Sequence, residues 1–267
     1  MDIKTQLEKK KVLRSRLPGS WIQTVQHMTG SRPHKPSFMV LDIGQSGGMH
    51  LANWFYAHKE ITFQENILAQ PVRFPRLSVY QRVRQSNSKV YGFSATVEQL
   101  CQVQHISNPN QFLQDLVRGG CRIIYLNRKD ALRHAIATLR AHSINYRFGT
   151  PETRSKFKPF IVDVSELIAC LHYFDNQRVE AKAVLHDVAH MSLTYEEDLI
   201  DPNCYQATAQ RLSSFLDVSK IEPVGNSVKL VHRQMEDIVA NYDELKAGLE
   251  NSDYGYLLSD NKYLLTV

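Results

Sequence analysis

A three-layer α/β domain built on a central parallel sheet is the fold this sequence predicts, and three observations predict it. Apolar runs of strand length at 38–43, 89–94 and 122–127 are each followed by a stretch with helical character. The runs are continuously apolar, the pattern of strands covered by helices on both faces. A glycine-rich turn, Gly44-Gln-Ser-Gly-Gly48, joins the first run to its helix. With 267 residues, 43% of them hydrophobic, the chain can bury a substantial core.

Residues 1–36 carry mixed charge and end in a breaker-rich link, Gly30 to Pro36, so they read as an N-terminal helical extension to a domain over 37–267. The first strand and its glycine turn lead into a helix over 50–58. The second strand precedes a mostly helical stretch reaching Leu116, and the third runs into a helix over 129–142 with good helix formers and apolar residues at i, i+3, i+4. A long helix is expected over 160–189, a short strand over 191–195, an amphipathic helix over 204–216 and a last helix over 233–250. Basic and aromatic segments at 71–88 and 145–158 read as variable loops over a pocket.

Composition excludes several classes. The 32 Lys and Arg exceed the 27 Asp and Glu by five, too dilute for a nucleic-acid binder. Cys101, Cys121, Cys170 and Cys204 form no CxxC pair and read as free thiols in a reducing compartment. No stretch approaches a membrane span, and the basic N-terminus has no apolar block after it, so a cytoplasmic protein is expected. His186 and His190 stand at i, i+4, the spacing of a zinc-hydrolase helix, but Asp187 replaces the required Glu and no third ligand is evident, so no metal is expected.

The glycine turn has the form of a phosphate cradle at the first strand-to-helix connection, where free N–H groups and the helix dipole attract anions. The same turn would serve equally as a plain tight connection. It is not a nucleotide-triphosphate loop, because Met49 and His50 stand where a Lys and a hydroxyl are needed, nor does its spacing fit GxGxxG. A kinase or NTPase is further disfavoured by the lack of an acidic residue at a strand end for magnesium.

Four segments together resemble the sulfotransferases that use 3′-phosphoadenosine 5′-phosphosulfate, above all their bacterial branch acting on carbohydrates, lipids and natural products. Gln45-Ser-Gly-Gly-Met-His-Leu51 is similar to the 5′-phosphosulfate loop, and Phe63-Gln-Glu-Asn-Ile-Leu68 to the acidic segment after the first helix. The stretch from Arg122 to Thr138 resembles the 3′-phosphate strand and helix. Tyr195-Glu-Glu-Asp-Leu199, with Leu212 to Val218 and Ile238-Val-Ala-Asn-Tyr-Asp-Glu-Leu245, is similar to that family's late motifs. The likeness runs from Phe38 to Leu258 and implies a P-loop-NTPase-like sulfotransferase fold. It departs from the family at Gln45, where a cation is usual, at Gly48 and Met49, where hydroxyls are usual, and at Ala137, where Ser is usual.

The resemblance implies transfer of a sulfuryl group from 3′-phosphoadenosine 5′-phosphosulfate to a hydroxyl or amine of a small-molecule, natural-product or carbohydrate acceptor, leaving adenosine 3′,5′-bisphosphate, with no metal. Positioning and charge stabilisation would do most of the catalysis. The nucleotide would be held by Gln45, Ser46, Gly47, Gly48, Met49 and His50 at its 5′ end and by Arg128, Thr138, Lys229 and Arg233 at its 3′ end. Glu65 is the first candidate base and His50 the second, with His58 and Asn53 behind them. The alternative is a sulfotransferase-like protein that binds the nucleotide without turnover.

Overall fold

The computed structural model describes residues 35–143, 159–224 and 234–259. The proposed N-terminal extension, the second basic loop and both Lys229 and Arg233 lie outside the described residues, apart from Lys35 and Pro36 at the extension's end. Five strands form one parallel sheet: β1 (Ser37–Asp42), β2 (Ile61–Gln64), β3 (Val90–Thr96), β4 (Cys121–Asn127) and β5 (His190–Thr194), in the order β2-β3-β1-β4-β5. In register, Leu41 of β1 lies between Ala95 of β3 and Tyr125 of β4.

The period-two alternation of each strand builds two cores. Met39, Leu41, Tyr91, Phe93 and Ile123 face helices α2 (Pro75–Gln85), α3 (Pro109–Arg118), α4 (Ala131–Ser143) and α5 (Val164–Leu185). Phe38, Val40, Val90, Ile124 and Leu126 face α1 (Gly48–Tyr56) and α6 (Pro202–Leu216), where Trp54, Phe55, Leu212 and Leu216 are fully buried. The three-layer α/β fold with a parallel sheet is therefore the one observed.

Several boundaries differ from the sequence reading. The segment 71–88 is not a loop: Pro75 starts α2 at its first position, and Leu77, Val79, Tyr80 and Val83 bury one side of it. Within it Arg76 pairs with Asp115 at 2.5 Å and Arg82 donates to Gln64 at 2.9 Å. The long helix stops at Leu185, because His186 leaves helical geometry and Asp187 takes φ 56 to turn the chain into β5. His186 thus sits past a helix end and His190 opens a strand, so the two do not share a helical face. Among the described residues no group of three or more His, Cys, Asp or Glu side chains is placed to hold a metal.

The helix expected over 233–250 is broken into α7 (Met235–Ile238) and α8 (Tyr242–Glu250). Between them Val239 makes an isolated parallel bridge to Phe160, and Asn241 clasps Val162, accepting from its N–H at 2.9 Å and donating to its carbonyl at 3.0 Å. The Asn of the Asn-Tyr-Asp-Glu-Leu motif is thereby a structural clasp. Asn241→Ala removes both bonds, and a loss of about 2 kcal/mol in urea denaturation is expected. A loss below about 0.5 kcal/mol would mean that the clasp is replaced by water. No helix among the described residues is long and apolar enough to cross a membrane.

Candidate anion site at the strand ends

β1 lies in the middle of the sheet, with β3 on one side and β4 on the other, so the crevice beyond its carboxyl end is a topological switch point. The turn from β1 to α1 fills that position. Gly44, Gln45 and Gly47 all take positive φ, at 85, 47 and 94 degrees, which coils the backbone into a nest. Among the described residues, none accepts a hydrogen bond from the N–H groups of Gln45, Ser46, Gly47, Gly48 or Met49. Five consecutive free donors at a helix N-terminus are suited to oxygens of an anion.

The turn is held from outside by three later elements. His134 of α4, fully buried and stacked on Phe174 at 3.8 Å, has Nε2 2.7 Å from the Gly44 carbonyl. Burial, with Arg128 close by, pushes its imidazole down to about 3, so the ring is neutral and carries its proton on Nε2, donating to that carbonyl. Arg128, just past β4, donates from Nη1 to the Gln45 carbonyl at 3.2 Å. The Tyr195 ring, past β5, presses on Gly47: a Cβ there would lie 2.1 Å from the ring. Ser46, buried, donates from its hydroxyl to the Gly44 carbonyl at 3.1 Å.

Arg128 is 9% exposed, and three groups account for its burial. Its Nε lies 3.6 Å from Glu196, its guanidinium stands 4.9 Å over the Tyr195 ring, and Nη1 serves Gln45. Glu196 in turn accepts from the N–H groups of Lys129 at 2.9 Å and Asp130 at 3.1 Å, fixing the approach to α4. Its neighbour Asp198 accepts from the Thr194 N–H at 2.6 Å and pairs with Arg211 at 2.7 Å. The Tyr-Glu-Glu-Asp-Leu motif is thus a bracket between strand ends and helices.

The other proposed residues divide. Gln45 and Met49 are exposed at the nest, with Met49 63% open to solvent. Glu65 follows β2 and accepts from the Tyr56 hydroxyl at 2.7 Å, and its charge is felt by Asp42. The His50 ring turns into the second core, 5.8 Å from Trp54 and 5.5 Å from Tyr205, where burial lowers its pKa. Thr138 donates its hydroxyl to the His134 carbonyl at 3.0 Å, one turn back in α4. His58 bonds the Ser219 carbonyl at 3.0 Å, just past the end of α6.

Two groups were missed. His134 lay unmarked in a helical run, and Asp42, the last residue of β1, is a carboxylate at a strand end, which corrects the statement that none stands there. Asp42 is 8% exposed and accepts from the Gly44 N–H at 2.7 Å. Burial, with Glu65 adding to it, pushes its carboxyl up to about 6. An Asp two residues ahead of the first turn glycine was the available signal.

The fold and the turn define an α/β protein with a glycine-rich backbone nest at the switch point of a parallel sheet. No protein-family model matches the chain, and no curated protein matches its sequence. Among solved structures it is similar to mouse sulfotransferase SULT7A1 complexed with PAP, at 13% identity and TM-score 0.43 over 88% of this chain and 92% of that one. It is also similar to sulfotransferase STF9 from Mycobacterium avium, at 9% identity and TM-score 0.45 over 91% of this chain and 81% of that one.

Proposed function

We propose that this protein is a sulfotransferase-like enzyme that takes 3′-phosphoadenosine 5′-phosphosulfate in the nest and passes its sulfuryl group to a hydroxyl or amine of a small acceptor. The observation that carries this reading is the run of five free N–H donors from Gln45 to Met49 at the switch point, flanked by the buried cation of Arg128. The donors would stabilise charge on the leaving phosphate, and Arg128, bonded to the Gln45 carbonyl, would offer its cation to the nucleotide's second phosphate. Glu65, half-buried after β2 and close enough for its charge to act on Asp42, would take the acceptor proton, with the Tyr56 hydroxyl orienting it. Lys229, Arg233 and Thr138 remain proposed partners of the 3′-phosphate, and His50 a second proposed base. A soluble cytoplasmic setting and the absence of a nucleic-acid partner belong to the same proposal.

A second reading, binding of adenosine 3′,5′-bisphosphate without turnover, is favoured by one feature. The nest's own side chains supply no cation: Gln45, Ser46 and Met49 are neutral, and Arg128 is already matched by Glu196. Calorimetry with the bisphosphate and transfer of labelled sulfate to an acceptor panel separate the two. Binding with transfer that Glu65→Gln slows at least tenfold supports the enzyme. Binding with no transfer supports the second reading, and no binding removes both.

A further inference from the structure

Resting on the reading of the nest as an anion site, we infer that Asp42 is a proton-coupled gate on it: the nest takes a fully ionised anion together with one proton from solvent, which ends on the Asp42 carboxylate. The geometry carries this. Asp42 closes β1 directly beneath the turn, with Oδ1 accepting from Gly44 and Oδ2 3.0 Å from where a Cβ on Gly48 would sit. The carboxylate therefore lies against the same turn that carries the free donors, touching it at Gly44 and at Gly48.

Among the described residues, no cation is among the groups that act on it. From the segment after β2, Glu65 adds a second negative charge. From β4, Tyr125 contributes a neutral hydroxyl whose proton is held more tightly by burial. From α4, His134 is neutral and turned to the Gly44 carbonyl. Arg128 acts on His134, Glu196 and Tyr195, and Arg178 of α5 on Tyr125 and His134, but neither is among the groups that set the Asp42 carboxyl. An anion in the nest would add a negative charge beside a buried carboxylate, which favours the protonated acid. That acid form is already accessible near neutrality, because burial brings the carboxyl up to about 6.

Inorganic sulfate, fully ionised throughout, is the probe. With a free carboxyl near 6, wild-type affinity is expected to fall roughly 50-fold from about pH 6 to about pH 8, with close to one proton taken up per sulfate at the upper end. Proton uptake is read by calorimetry in two buffers of different ionisation heat. Asp42→Asn should bind more tightly than wild type at about pH 8, with less than about threefold variation across the range. In wild type, the Asp42 carboxyl resonance followed by NMR should titrate near 6 and move up by at least about three units with sulfate, an arm that needs no variant.

The inference is overturned if a folded Asp42→Asn keeps the wild-type pH slope, if Glu65→Gln removes that slope instead, or if sulfate binds neither protein. Sulfate binding with proton uptake but no binding of the bisphosphate leaves the gate standing and sinks the nucleotide reading. Bisphosphate binding without proton uptake does the reverse.

Discussion

Arg128→Ala is expected to lower stability by about 3 kcal/mol and to abolish binding of adenosine 3′,5′-bisphosphate. The Glu196 side chain is 4% exposed, and the substitution leaves its charge buried without the Nε contact at 3.6 Å. The N–H groups of Lys129 and Asp130 still reach Glu196, which keeps the loss at the lower end for a broken buried pair. The Gln45 carbonyl also loses its donor, so the nest loosens on one side. Adding Glu196→Gln should restore part of the stability, because the orphaned charge goes, but none of the binding. Arg128→Lys should recover little, since an ammonium cannot serve Gln45 and Glu196 in one fork. Guanidinium denaturation reads the stability, and a loss below about 1 kcal/mol would show that the pair adds nothing over a neutral core.

Gly47→Ala combines two penalties. At φ 94 an L-residue is strained by about 1–2 kcal/mol. Its Cβ would also enter the Tyr195 ring, at 2.1 and 2.4 Å from two ring carbons, adding roughly 1–3 kcal/mol of overpacking. A total near 4 kcal/mol is expected. Tyr195→Ala in the same chain removes the overlap but not the backbone strain, so the two substitutions together should destabilise by less than the sum of each alone. Strict additivity would mean that the ring does not press on this glycine in solution.

How much of this was legible follows from the range of the interactions. β1, β3 and β4 were readable because strands covered on both faces leave a continuous apolar trace, whereas β2 is only Ile61–Gln64 and leaves almost none. In α2, three arginines at 76, 82 and 84 masked the Leu77, Tyr80 and Val83 spacing, although Pro75 announced the helix start. Local rules also could not stop the helix at Leu185, where the return to β5 imposes the turn at Asp187. At the site, the glycine turn was visible as a pattern. Its supports were not: His134 meets Gly44 across 90 residues of chain, and Arg128 meets Gln45 across 83. The roles of Asn241 and Glu196 were hidden for the same reason, since a motif marks that residues matter without saying that they clasp Val162 and the approach to α4.

The outside support of the nest also sets an order of events in folding. Its three braces, Arg128, His134 and Tyr195, all follow it in the chain by more than 80 residues. β1 and α1 can pair with early neighbours, but Gly44, Gln45 and Gly47 acquire their left-handed geometry only against partners that β4, α4 and β5 deliver. Such long loop closures make a late step, and a chain halted before Tyr195 would carry the sheet centre without a finished nest. The part of the protein most suited to holding a ligand is thus among the last to become rigid.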